Sequence, residues 1–126
     1  MVDAVPAPPP VIFVQEVKSN QPAIFLGFMA VGALADRTKL EKRATELKFP
    51  IGNTTNDKDE PELMVMFPPG TNHPAGLQLY RDAVAGKFGA LKLEVMIITK
   101  DKAADGIDVD QDATAVPPSE IQLPAQ

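Results

Sequence analysis

Proline crowds both ends of this chain and is sparse between them. Pro6, Pro8, Pro9 and Pro10 fall in the opening MVDAVPAPPP, and Pro117, Pro118 and Pro124 in the closing PPSEIQLPAQ. Proline has no backbone N–H and a fixed φ, so such ends neither continue a helix nor sit inside a sheet. They read as extended arms, residues 1–10 and 101–126, flanking a single compact domain over 11–100. The length of 126 residues fits one domain. Roughly 90 residues between the arms allow a modest core.

Composition narrows the chemistry. The chain has no cysteine and one histidine. Disulfides, thiolate metal sites and cysteine nucleophiles are thereby excluded. The net charge of −5 is uneven. Beyond Ile98, Lys100 and Lys102 face Asp101, Asp105, Asp108, Asp110, Asp112 and Glu120, so the tail carries most of the negative charge. Phosphate-backbone binding needs clustered Lys and Arg, and this balance opposes it. The opening residues lack the basic and apolar regions of a signal peptide. The uncharged run Ala23 to Ala35 is shorter than the ~20 residues needed to cross a bilayer, and reads as buried core.

The pattern between the arms predicts strands over Val11 to Val17, Ile24 to Val31, Glu62 to Phe67 and Leu91 to Thr99. A buried helix is the rival reading for Ile24 to Val31. Leu91, Leu93, Val95 and Ile97 alternate with Lys92 and Glu94, the signature of a half-buried strand. A turn is expected at Ser19-Asn20-Gln21-Pro22. Leu40, Ala44 and Leu47 share one face of a helix expected over Asp36 to Lys48, with Asp36 as its N-cap; a strand over Arg43 to Phe49 is the alternative. Leu77, Tyr80 and Val84 share one face of a short helix over Gly76 to Val84, with Gly86 as C-cap. GNTTNDKDEP and PPGTNHP read as loops. The expected class is α+β: a small, mainly antiparallel β-sheet or sandwich with one or two short helices and extended N- and C-terminal arms.

Each chemical candidate has a plainer structural reading. His73 lies in a Pro-rich loop without a second metal ligand or a nucleophile nearby. Tyr80 is expected in the core. Asp108, Asp110 and Asp112 mimic the start of a calcium loop, but Ala113 and Ser119 stand where the glycine and bidentate glutamate belong, so a solvated acidic tail is expected. Asp57, Asp59, Glu60 and Glu62 form a second acidic cluster, placed in a polar loop with Lys58. Asn53-Thr54-Thr55 matches a glycosylation sequon. Arg37, Lys39, Lys42, Arg43 and Lys48 give the first helix a net positive face against the acidic loop that follows. Opposed patches of this kind suit contacts between copies, and an ordinary mixed surface is the alternative.

From Glu62 onward the chain resembles part of a phage tail tube protein. The shared order is the strand ELMVMF, the turn PPGTNHP, the helix AGLQLYRDAVAGK and the strand LKLEVMIIT. In that family the helix packs on a β-sandwich and subunits stack as hexameric rings. Such proteins continue into further strands where this chain enters an acidic, Pro-containing tail. The broader class of virion proteins with extended arms, including capsid-decorating proteins, is the wider resemblance. It implies a structural assembly subunit located in the virion, contacting neighbouring subunits through its sheet edge and extended arms. Its partners would be copies of itself and other virion proteins, without sequence-specific nucleic-acid binding or membrane contact. No catalytic, cofactor or metal residue is expected. The contact residues expected are Pro8, Pro9, Pro10, Val11, Ile12 and Phe13 in the first arm, and Pro117, Pro118, Ile121 and Leu123 in the second. A monomeric protein-binding module with Pro-rich linker ends is the alternative.

Overall fold

A computed structural model describes residues 13–18, 20–67, 73–99 and 114–123. The chain runs β1 (Phe13–Glu16), β2 (Gln21–Val31), α1 (Leu34–Glu46), β3 (Ile51–Thr55), β4 (Pro61–Met66), α2 (His73–Val84), β5 (Lys92–Thr99), β6 (Thr114–Val116), a 3-10 turn (Pro118–Glu120) and β7 (Ile121–Gln122). Among the described residues all strand pairs are antiparallel and join in one seven-stranded sheet. With two helices beside it, the class is α+β.

β2 is the axis. The residues of AIFLGFMAV form a strand and not a buried helix. One edge of β2 pairs with β5 from Ala23 to Val31. The other edge is shared end to end, with β1 on Gln21 to Ile24 and β4 on Gly27 to Val31. Pro22 and Pro61 lie inside strands, yet each sits beyond the end of one neighbour. β5 begins pairing at Ala23, and β2 ends opposite Glu62. Their missing N–H groups therefore interrupt no central ladder.

The register of β2 slips between Phe25 and Gly27. This bulge is why Phe25 and Phe28, three apart, both enter the core, since a regular strand would send them to opposite faces. Gly27 is required there. Its φ is +156°, and a Cβ would strike the Val65 carbonyl and come within 3.1 Å of Met66 Cα.

Both helices cover the same face. Leu40 and Ala44 of α1 are buried and Leu47 packs beside them, as the spacing predicts. The helix starts earlier than expected, however. Ala33 is its N-cap, without a side-chain hydrogen bond, and Asp36 sits inside the first turn, where its charge favours the helix dipole. At the other end, Lys48 N–H donates to Thr45 O and Phe49 N–H to Ala44 O, a Schellman closure that places Lys48 at φ +65°. α2 closes the same way, with Gly86 N–H to Ala83 O and Lys87 N–H to Asp82 O. Gly86, at φ +81°, takes the expected capping place.

α2 begins at His73, so the histidine belongs to a helix and not a loop. Gly76, Leu79, Tyr80 and Ala83 form its inward stripe. Val84 lies on the flank of that stripe and is 55% exposed, against the expectation that it faces inward. Phe25 and Phe28 of β2, Phe67, Phe49 and Tyr80 form a contiguous aromatic centre, with centroid separations of 5.0 to 6.1 Å.

Residues 114–123 of the expected C-terminal arm belong to the sheet. β6 pairs with β5 and β7 with β1, on opposite sides of β2. Through their partners, Val116 is level with Phe28 and Ile121 with Gln21. On a flat sheet those points lie about 30 Å apart, whereas the intervening backbone spans at most about 18 Å. The sheet therefore curls at this end. Val116, Ile121 and Leu123 close the curl by packing into the helix-side core, and Val17 N–H donates to Glu120 O at 2.8 Å.

Candidate assembly surfaces

β3 is an edge. Among the described residues it pairs with β4 alone, through Ile51↔Val65 to Thr55↔Pro61. The segment IGNTT was expected to be a loop from Gly52 onward; pairing with β4 overrides its turn-like composition. Edge strands are ordinarily protected by charge, proline or a bulge. β3 has none of these, and Ile51 stands 36% exposed at its start.

The sheet face away from the helices is the second surface. Alternation places Leu63, Val65, Val95 and Ile97 on the helix side, so their neighbours point the other way. That far face reads in rows across β5, β2 and β4. The first is Lys92, Val31, Glu62; next Glu94, Met29, Met64; then Met96, Gly27, Met66. Ile98 and Ile24 lie opposite one another farther along. Four of the five methionines thus share one face. Gly27 leaves a slot in it, with the Met96 methyl 3.2 Å from where a Cβ would stand.

Glu62 sits at the charged end of this face and is 5% exposed. Burial raises its pKa, and the nearby carboxylates of Glu94, Asp57 and Glu60 raise it further. Beside it, Asn56, Asp57, Lys58 and Glu60 from the β3–β4 turn and Lys92, Leu93 and Glu94 from β5 line a recess of about 280 Å³. Asn56 organises the turn: its side chain accepts from the Lys58 and Glu60 amides and donates to the Glu60 carboxylate. No group of three or more metal-ligating side chains occurs among the described residues.

A third surface lies between α2 and the C-terminal segment. Tyr80, Arg81, Val84 and Ala85 form one wall of an open groove of about 440 Å³, and Pro118, Ile121, Gln122 and Leu123 the other. Three of the four expected C-terminal contact residues meet here. Ile121 is buried in its own chain, Leu123 and Pro118 are half-buried, and Pro117 is the exposed N-cap of the 3-10 turn. Tyr80 is 2% exposed and its hydroxyl pKa is pushed up to about 12 by burial, in keeping with the expected core role.

Of the first-arm contacts, Phe13 opens β1 opposite Ile24. Pro8, Pro9, Pro10, Val11 and Ile12 lie outside the described residues, as do Asp108, Asp110 and Asp112. A sheet edge is expected from the sequence, but not in β3, whose segment reads as a loop, and the methionine set is not expected. The alternation in ELMVMF and LKLEVMIIT held the signal for the methionines, because it assigns Met64, Met66 and Met96 to a face of their own.

Among the described residues no helix is long and apolar enough to cross a membrane. No protein-family model matches this chain, and no curated protein or solved structure is significantly similar to it.

Proposed function

We propose that this chain is a structural assembly subunit of a phage particle, joined to its neighbours through its sheet edge and extended first arm, residues 114–123 of the second arm being taken up by its own sheet. The observation that carries the reading is the uncharged β3 strand, paired on one side only among the described residues, with Ile51 exposed at its start. Such an edge offers backbone N–H and C=O groups to a strand of another chain. The basic face of α1 and the acidic β3–β4 turn add charges of both signs, which set orientation between copies. A tail-tube form of the proposal needs a second sheet against the methionine face to complete a sandwich. A capsid-decorating form needs only the edge and the first arm, and fits the single curled sheet more simply.

The test is the double variant Ile51→Lys, Asn53→Lys in the full chain. Lysines on an edge strand oppose strand addition while leaving the monomer's core intact. Electron microscopy and sedimentation should show assembly lost, with unchanged circular dichroism. Particles that form normally from this variant overturn the edge-mediated reading. A monomeric binding module is the second reading, favoured by the apolar groove between α2 and the C-terminal segment.

A further inference from the structure

We infer that β3 pairs antiparallel with β3 of a second copy, about a two-fold axis at Asn53. This rests on the assembly reading and names the partner and register of its sheet edge.

The hydrogen bonds of β3 decide which groups it can offer. Met66 N–H donates to Pro50 O, and Asn56 N–H to Glu60 O. Both pairs continue the register that runs from Ile51↔Val65 to Thr55↔Pro61. Along an antiparallel ladder, hydrogen-bonded and non-hydrogen-bonded pairs alternate. Gly52 and Thr54 therefore turn their N–H and C=O groups to β4, and Ile51, Asn53 and Thr55 turn theirs outward. Among the described residues no strand meets that outer side. The Thr55 carbonyl has a long local contact, 3.5 Å from Thr54 Oγ1. Asn53, Thr54 and Thr55 are exposed.

The outward groups complement a second copy of themselves. With Asn53 opposite its own counterpart, Ile51 falls opposite Thr55 and Thr55 opposite Ile51. Each of these pairs is then of the hydrogen-bonded kind and exchanges both bonds, so every outward N–H and C=O is satisfied. The Asn53 side chain carries a donor and an acceptor, and two of them bond across the axis.

Charge selects this orientation. Lys48 is exposed at the entry to β3, and exposed Asp57, Asp59 and Glu60 follow its exit, with Lys58 among them. Antiparallel pairing sets the entry of one strand beside the exit of the other, where opposite charges meet. Parallel pairing would set like against like. Length singles out this edge as well. β6 and β7, the other strands paired on one side only among the described residues, have three and two residues against five in β3. A two-fold contact closes on itself, so the product is a dimer.

The chain has no cysteine, so single substitutions report the register. In the dimer the two Asn53 Cα atoms lie about 5.5 Å apart, within disulfide reach, and the two Thr55 Cα atoms about 14 Å apart, beyond it. Under mild oxidation the full chain carrying Asn53→Cys should form a covalent dimer, and the chain carrying Thr55→Cys should not. Equal crosslinking of both variants overturns the register. Absence of the Asn53→Cys dimer, from a chain that still grows with concentration in sedimentation, overturns self-pairing of β3 and leaves the assembly reading in place. An unaltered chain that stays monomeric at every concentration overturns both. Hydrogen exchange on the unaltered chain needs no variant. In dilute solution the Gly52 and Thr54 amides, bonded to β4, should be the slower set. Raising the concentration should slow Ile51, Asn53 and Thr55 about tenfold or more. Rates at these three that ignore concentration overturn the proposal.

Discussion

Phe25 and Phe28 stand three residues apart on β2, and both present to the Tyr80 ring, with centroids 5.2 Å and 5.3 Å away. The bulge between them makes this possible. It turns one strand's consecutive hydrophobes into a shared socket for α2, and it depends on one residue without a side chain.

Gly27→Ala should therefore be costly. The added Cβ meets the Val65 carbonyl of β4 and is held at an unfavourable φ. Urea unfolding at 25 °C should show a loss of about 2–4 kcal/mol, in the range of backbone strain combined with disrupted packing. A loss below about 0.5 kcal/mol, typical of surface changes, would show that the bulge is not constrained.

Lys48→Gly should stabilise the protein. Lys48 occupies the left-handed position that closes α1, where a Cβ costs energy that glycine avoids. Glycine also has more freedom to lose on folding. The net gain should be about 0.5–1 kcal/mol in the same unfolding measurement. A destabilised variant would mean that the lysine side chain makes a contribution larger than its backbone strain.

Glu62 gives stability an acid-side dependence. Its folded-state pKa is raised, so the folded protein holds this proton more tightly than the unfolded chain. The resulting stabilisation is fully present below the unfolded pKa of about 4.5 and is lost as pH rises through the higher folded value. Glu62→Gln mimics the protonated form. It should raise stability at pH 7 by about 0.5–1 kcal/mol and remove this component from the pH profile. Equal destabilisation across the whole pH range would point instead to a required carboxylate.

Tyr80 acts in the alkaline range. Its pKa rises from 10.0 to about 12 on folding, so stability is intact below pH 10 and falls as pH climbs toward 12. Tyr80→Phe should leave stability near neutrality within about 1 kcal/mol and flatten the alkaline limb. Thermal melts between pH 8 and 11.5 measure this. A limb unchanged in the variant assigns the titration to another group.

Much of this architecture was legible in the sequence. The spacing of Leu40, Ala44 and Leu47 marked α1, the alternation around Val95 marked β5, and Gly86 marked the end of α2. What escaped has local causes. β3 is written in glycine, asparagine and threonine, and is a strand because β4 lies beside it. The bulge at Gly27 depends on a carbonyl of another strand. Val116, Ile121 and Leu123 are sparse hydrophobes in a proline-containing tail, and only the curl of the sheet gives them a core to join. The contact surfaces were harder to read than the fold, since an edge and a face exist only after pairing.

Sedimentation velocity of the full chain over a wide concentration range tests most directly whether it assembles through its exposed sheet edge, as proposed. Concentration-dependent growth into a defined oligomer, abolished by Ile51→Lys with Asn53→Lys, is the predicted result. A single 13.5 kDa species at every concentration would contradict it.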